Sequence, residues 1–188
     1  MKLILGSAFA AALAATSVQA APQIHQIIYN VNAASTCSRA AHNEAELKIG
    51  LAACTTALSD PAMLHRAALL LDRGVIHARL GDNQSALRDY NDAIALDSQL
   101  ADAYVSRAGV LVTLKRYDEA SADISQGLAL GTSNRHVAYY TSGVIAEEKG
   151  DVKLAYQSYK QAAALKPDFA PANRELARFK VVSRTARN

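Results

Sequence analysis

Residues 68–98 read ALLLDRGVIHARLGDNQSALRDYNDAIALDS, and the same order of small and large residues returns twice further along the chain. The matching stretches are residues 103–132 and 138–167. Equivalent positions recur after 34 and then 35 residues, as in the series Ala86, Ala120 and Ala155. A period of this length is typical of arrays in which each unit buries its apolar face against the next.

Two apolar stripes at i, i+3, i+4 and i+7 spacing lie within each unit, so the period predicts two antiparallel helices per unit. Small residues recur where the helices must approach closely, and large ones recur where a gap must be filled. Gly81-Asp82 and Gly150-Asp151 stand between the stripes of two units. There, Gly can take the left-handed position that ends one helix, and Asp can cap the next. The middle unit has Arg116-Tyr117-Asp118 instead, which predicts a less ideal turn.

This pattern resembles the tetratricopeptide repeat (TPR) family, whose repeat carries aromatic, Gly, Ala and Pro residues at these spacings. The resemblance covers residues 67–169 and depends on three units in phase. Ser98 and Thr132 depart from it, because they stand where the family has a closing proline that only Pro167 supplies. The predicted units are TPR 1 at 67–100, TPR 2 at 101–135 and TPR 3 at 136–169.

The segments on either side of the three units are interpreted by continuing the repeat spacing beyond them. Residues 37–66 resemble a degenerate repeat, since Gly50 and Cys54 fall at repeat positions, and residues 170–188 are predicted as a capping helix with a basic tail. Residues 21–36 are interpreted as an extended arm or a poorly ordered tail. The predicted fold is all-α: a right-handed α-solenoid of antiparallel helix pairs, the TPR superhelix, with a C-terminal capping helix.

Residues 1–20, MKLILGSAFAAALAATSVQA, have the layout of a secretory signal peptide: a basic start, an apolar run and small residues before a cut. Cleavage is predicted after Ala20, which predicts a periplasmic or secreted protein. An uncleaved membrane anchor is the alternative. It is disfavoured because the run is short, rich in alanine and without flanking aromatic residues.

The two cysteines, Cys37 and Cys54, would meet an oxidising compartment after export. A disulfide between them is predicted. By closing the loop between the two cysteines it would stabilise the folded state by about 3 kcal/mol. Two separate buried thiols, or a metal site with His42, are the alternatives. No metal site is predicted, because neither cysteine belongs to a Cys-x-x-Cys pair.

A charge pair recurs between units. Arg73 with Asp89, and Arg107 with Asp123, are both sixteen residues apart at matched positions, and the third unit has Ser142 and Ser158 instead. An exposed ion pair between the two helices of a unit is one interpretation, worth at most about 1 kcal/mol. Two independently solvated charges are the other.

The family resemblance implies that the first helices of successive units line a concave surface for a partner. A Lys, Arg and Asn clamp, which grips a carboxyl terminus in chaperone-binding members, is absent here, so an apolar-faced helix or extended segment is the predicted ligand. Ordinary packing against the next repeat is the alternative for each apolar position. The predicted groove residues are Leu71, Val75, Arg79, Val105, Gly109, Val112, Tyr140, Val144, Glu147 and Glu148, with Arg79 and the two glutamates as polar edges.

The predicted function is a scaffold or adaptor that binds a protein or peptide in the bacterial cell envelope. The alternative is a structural module that self-associates, and a homo-oligomer is compatible with either. No enzyme is predicted, because hydrolase, metalloprotease and phosphate-loop motifs are absent and the five histidines are scattered. The net charge of +3 favours no nucleic-acid partner, and no cofactor and no membrane span after signal cleavage are expected.

Overall fold

The structure is a computed structural model that describes residues 20–43 and 46–185, with the surroundings of the side chains at 26–43 and 46–179. The predicted signal peptide, apart from its last residue, lies outside the described residues. Nine helices are found in the described part of the chain. They are α1 Ala20–His42, α2 Leu47–Leu58, α3 Arg66–Arg79, α4 Asn83–Leu96, α5 Ala101–Thr113, α6 Tyr117–Ala129, α7 Arg135–Glu148, α8 Val152–Leu165 and α9 Ala170–Thr185.

The helices pack as consecutive pairs. α1 packs on α2, α3 on α4, α5 on α6 and α7 on α8, and α9 packs on the last pair through α8. Each second helix also contacts the first helix of the following pair. The predicted all-α solenoid with a capping helix is therefore confirmed, and α9 lies within the predicted segment 170–188.

The interpretation of residues 21–36 as an arm or tail is wrong. They form most of α1, which is the first helix of a fourth, N-terminal unit. The helix is held by packing: Cys37, Ala40 and Ala41 are buried against its neighbours. A Cβ atom added to Gly50 of α2 would lie 2.1 Å from the Cβ of Ala40, so only glycine permits this close approach.

The predicted disulfide is confirmed. Cys37 of α1 and Cys54 of α2 are joined, with 4.7 Å between their Cα atoms. Both side chains are completely buried. The bond therefore lies inside the first unit and ties its two helices together.

The turns between paired helices follow the sequence. Gly81 and Gly150 have φ angles of 82° and 81°, in the left-handed region that favours glycine. Asp82 and Asp151 cap the next helices by accepting hydrogen bonds from backbone amides 3.1 and 2.9 Å away. In the middle unit Lys115 takes the left-handed conformation at φ 59°, and the helix that follows has no side-chain cap. The prediction of a less ideal turn there is confirmed.

A glycine and a tyrosine pack together in two units. A Cβ atom at Gly74 or at Gly143 would lie 2.5 Å from the ring of Tyr90 or of Tyr159, respectively. Both rings are buried. The missing side chain on the first helix therefore makes room for the aromatic ring on the second.

The two predicted ion pairs are present, but their carboxylates are not exposed. Arg73 donates two hydrogen bonds to Asp89, of 2.8 and 2.6 Å, and Arg107 donates two to Asp123, both of 2.7 Å. The aspartates are only 4% and 6% exposed. Each hydrogen-bonded carboxylate raises the pKa of its arginine. The expectation of a surface pair is thus corrected to a partly buried, bidentate one.

Thr132 explains one departure from the repeat pattern. Its hydroxyl donates to Asp102, at the start of α5 in the same unit, and accepts a 3.1 Å hydrogen bond from the Asn134 amide. Ser133 adds backbone and side-chain hydrogen bonds to the same carboxylate, of 3.1 and 2.7 Å. Hydrogen bonds thus close this turn, where the family has a proline.

The helices of the described residues include none long and apolar enough to cross a membrane.

Candidate partner-binding surface

The first helices of the four units form one side of the array. α1 contacts α3, α3 contacts α5, and α5 contacts α7, in addition to the contacts within each pair. The second helices reach the following unit mainly through its first helix. Because the first helices approach one another more closely, they line the inner, concave side.

Three of the predicted groove residues pack within their own unit. Leu71 joins the apolar cluster of Tyr90, Val105 joins that of Ile124, and the Tyr140 ring lies 5.7 Å from the Tyr159 ring. In the N-terminal unit, Cys37 stands at the position equivalent to Leu71, and it is bonded to Cys54 of the second helix. These positions therefore set the register of the two helices of a unit.

Val105 is the clearest correction among them, because it is only 2% exposed. A Cβ atom added to Gly127 of α6 would lie 2.7 Å from its Cγ2 atom, so the valine fills the space that this glycine leaves. Assigning Val105 to the groove was wrong. Leu71 and Tyr140 are half-buried.

The C-terminal end of the predicted groove is covered by α9. Tyr140 and Val144 pack in one cluster with Leu176 and Phe179 of that helix. Phe169, at the turn before α9, stacks edge-on against Tyr140 at 5.6 Å between ring centroids. The accessible part of the surface therefore lies nearer to α3 and α5.

Both glutamates at this end are hydrogen-bonded within the fold. Glu147 accepts from the Tyr159 hydroxyl at 2.9 Å and from Arg178 of α9 at 2.8 Å. Burial and the bond to Glu147 raise the pKa of Tyr159. Glu148 accepts from the Tyr117 hydroxyl at 2.9 Å and remains exposed. Glu147 thus anchors the capping helix, and of the two only Glu148 remains exposed as a polar edge.

The remaining predicted positions stay accessible on the inner side. Arg79 and Gly109 are exposed, and Val75 and Val112 are half-buried. Nothing lies within 4 Å of a Cβ atom placed on Gly109, so the surface is open there. This strip of α3 and α5 is the best candidate for contact with a partner.

Three neighbouring side chains belong to the same strip and were missed from the sequence. They are Ala68, Ser106 and Thr113, of which Ala68 and Thr113 are exposed and Ser106 is half-buried. Thr113 stands 34 residues after Arg79, so repeating the groove positions at the period would have found it. The strip as defined here comprises Ala68, Val75, Arg79, Ser106, Gly109, Val112 and Thr113.

Asp72 ties the N-terminal unit to this strip. It lies on α3, where the hydroxyl of Ser38 on α1 donates a hydrogen bond to its carboxylate. Burial raises the pKa of Asp72, against the opposing effects of the Ser38 hydrogen bond and the nearby His42. The link fixes α1 beside α3 on the inner side.

The strip offers no evident catalytic or metal centre. Within the described residues, no three His, Cys, Asp or Glu side chains come close enough to hold a metal ion. His77 is mostly buried between Asp82 and Asp89, at 3.6 and 3.9 Å, and faces away from the strip toward the second helix of its unit. What the arrangement offers is a largely uncharged surface for another chain.

The chain is similar in sequence to known repeat proteins over part of its length. The tetratricopeptide repeat model matches residues 67–100 and 136–169, which are the first and third of the predicted repeats. The human tetratricopeptide repeat protein 6 is 34% identical over 71 residues, which are 38% of this chain and 14% of the human protein. The chain therefore spans only a small part of that curated relative.

Solved structures share the fold over a larger part of the chain. The solved chain of MamA from Desulfovibrio magneticus RS-1, residue 41 to the end, has a TM-score of 0.64 at 19% identity, and the match covers 84% of this chain and 85% of that one. The first TPR domain of Spaghetti (RPAP3), bound to the HSP90 peptide SRMEEVD, has a TM-score of 0.55 at 22% identity, covering 62% and 91%. The segment 101–135, which the repeat model does not match, has the same helix pair, α5 and α6. The chain therefore contains tetratricopeptide repeats at residues 67–100 and 136–169, within an α-solenoid whose three regular units follow a fourth that is closed by a disulfide.

Proposed function

We propose that this chain is an exported adaptor that binds a segment of another protein on the strip of α3 and α5. The observation that carries the proposal is the exposure of Arg79, Gly109 and Thr113 on the concave side, where neighbouring positions pack within the fold. Concave surfaces of helical arrays provide long, preformed binding sites for other chains.

The chemistry of the strip favours an apolar-faced helix or an extended segment as the ligand. Val75 and Val112 supply apolar contact, while Ser106 and Thr113 offer hydroxyl groups. Arg79 is the one charged member of the strip, and Glu148 lies further along the same side. A helix laid in a groove is held by apolar anchors, and charges at the edges set its direction.

The peptide-bound RPAP3 domain supports a peptide as the class of ligand, although its 22% identity carries only the fold. The strip and the predicted groove positions lack the clamp of Lys, Arg and Asn that would grip a terminal carboxylate. We therefore propose recognition of an internal segment rather than of a free C-terminus.

Export to the bacterial cell envelope is part of the proposal. It is supported by the signal-like residues 1–20 and by the buried Cys37–Cys54 disulfide, since such bonds persist in oxidising compartments.

Site-specific photocrosslinking in intact cells tests the proposal. A photoreactive amino acid is placed at Gly109 or Thr113 on the strip, and at the exposed Gln126 on α6 as a control in the same unit. We expect one protein to be crosslinked from the two strip positions and not from Gln126, and Gly109→Arg to abolish its capture from Thr113. Equal capture from Gln126, or no capture from the strip, would contradict the proposal.

A further inference from the structure

The two ends of the array differ in charge. The capping helix α9 carries five charged residues in sixteen: Arg174, Glu175, Arg178, Lys180 and Arg184. In the N-terminal unit, the segments 20–38 of α1 and 49–58 of α2 carry no Asp, Glu, Lys or Arg. Terminal units of repeat arrays normally need a polar outer face to remain soluble. The N-terminal end therefore has the character of a surface that is covered in the working protein.

Large apolar side chains are exposed on this end. Ile27, Ile28, Tyr29 and Val31 of α1 are each 55–58% exposed, and Leu64 in the turn before α3 is 75% exposed. Clusters of exposed apolar side chains mark interaction surfaces on soluble proteins. Among the residues that the structure describes, no element covers them.

A preformed groove lies directly beside these side chains. It encloses about 610 Å³ between α1 and the segment that leads into α3. Ile27, Val31 and Ala34 line one wall, and Met63 and Leu64 line the other. Asn30 donates a 3.1 Å hydrogen bond to Asp60 across the floor, which holds the two walls together.

The chemistry of the surface discriminates between occupants. Helices that lie on membranes rely on Lys and Arg at the headgroups, and this half of α1 has neither. A second copy fits better, because the protruding side chains of this patch are uncharged and meet their counterparts without repulsion between like charges. The one carboxylate of the groove, Asp60, accepts a hydrogen bond from Asn30. An isologous contact also places each copy's protruding side chains against the other's groove, and Ile28 and the groove lie side by side on one patch.

We propose that two copies of this chain pair through α1 in an isologous, antiparallel dimer, with Ile28 and Val31 near the two-fold axis. Each copy's Ile28 enters the groove between α1 and Leu64 of the other. The pairing covers the N-terminal ends together with Ala68, which lines the groove, and leaves the rest of the strip from Val75 to Thr113 accessible. The dimer therefore presents two partner-binding surfaces.

Sedimentation velocity over a concentration series tests the pairing on the chain that begins at Ala21. We expect a reversible dimer, and Val31→Glu and Val31→Lys should each raise its dissociation constant at least about tenfold. Mixing these two variants should restore the dimer, because the opposite charges meet near the axis. Leu96→Glu is the matched control, since Leu96 is 60% exposed on α4, and it should leave pairing unchanged.

Circular dichroism confirms that each variant is folded, which is expected because every substituted side chain is more than half exposed. A chain that stays monomeric at all concentrations would overturn the proposal, and so would a dimer indifferent to Val31→Glu. Single variants that weaken the dimer but do not restore it on mixing would overturn the antiparallel arrangement. Flotation of a monomeric chain with phosphatidylcholine vesicles would assign the surface to lipid instead.

Discussion

Asp89 is almost completely buried, and Arg73 reaches it from the neighbouring helix with two guanidinium nitrogens at once. A bidentate contact to a buried carboxylate couples two residues more strongly than a surface pair does. We expect a double-mutant cycle on Arg73→Ala and Asp89→Ala to give a coupling energy of about 2 kcal/mol, since the arginine remains partly accessible to solvent. Urea denaturation of the four proteins measures it.

Arg116 and Glu119 supply the matched control. They also form a two-bond contact, with both distances at 2.7 Å, but on the exposed surface of one helix turn. Their coupling energy should be much smaller. Additive effects at Arg73 and Asp89 would show that the recurring pair contributes no more than two separate charges.

Substitution by alanine is expected to change the free energy of unfolding in opposite directions at Gly143 and at Gly109. At Gly143 the new Cβ would lie 2.5 Å from the buried Tyr159 ring, so overpacking should lower the free energy of unfolding by about 1–3 kcal/mol. At Gly109 the Cβ meets nothing within 4 Å, and the better helix propensity should raise that free energy by up to about 1 kcal/mol. Urea denaturation compares the two variants, and a loss of equal size at both sites would contradict the packing argument.

Removing the disulfide should act locally. Cys37→Ala with Cys54→Ala is expected to cost about 3 kcal/mol in the chain-entropy model. Because each unit contacts mainly its neighbours, amides of α1 and α2 should exchange faster with deuterated water, while those of α7 and α8 keep their protection. Uniform loss of protection in all units would mean that the array unfolds as one cooperative body.

Asp102 should make the junction between the second and third regular units sensitive to acid. Burial alone would raise the pKa of this carboxyl group, but hydrogen bonds from Thr132 and Ser133 outweigh burial and lower it below 3.8. Its stabilisation is therefore complete above that pH and is lost as the pH falls toward the lower, folded-state pKa. Asp102→Asn should cost no more than about 1 kcal/mol at pH 7, because the group is partly solvated, and progressively less below about pH 4.

The check is a series of urea denaturation curves from neutral to acidic pH. Asp92→Asn, an exposed position on α4, serves as the control and should show little effect at any pH. A difference between Asp102→Asn and the parent chain that stays constant with pH would contradict the role given to the ionised carboxylate.

Much of the fold could be predicted because the same helix pattern occurs in three units, so an unclear assignment in one unit is resolved by the other two. The spacing of Ala86, Ala120 and Ala155 predicted the helix pairs, and the joint loss of Arg and Asp in the third unit indicated the ion pair as one of two interpretations. Most of α1 escaped prediction because residues 21–36 occur once and combine polar amides with β-branched residues. Its helix depends on packing against α2 and α3, which local sequence does not reveal.

The candidate surface was only partly predictable, for a geometric reason. Val105 and Gly109 are four residues apart and share a helix face by spacing alone. Yet Val105 fills the space beside Gly127, while Gly109 is open to solvent. The difference is set by the partner helix α6, which a periodic pattern does not specify. In the third unit the position of α9, which covers Tyr140 and Val144, is equally absent from the pattern.

Cys54 stands where other units carry a large apolar side chain, such as Tyr90 or Tyr159. The N-terminal unit is therefore held together by a covalent bond at the position where those units are held by a packed ring. A polypeptide made in a reducing host would have its three regular units complete, while the N-terminal unit would still lack the Cys37–Cys54 disulfide. With the proposed export, the N-terminal unit, and any assembly through α1, would be completed only on arrival in an oxidising compartment.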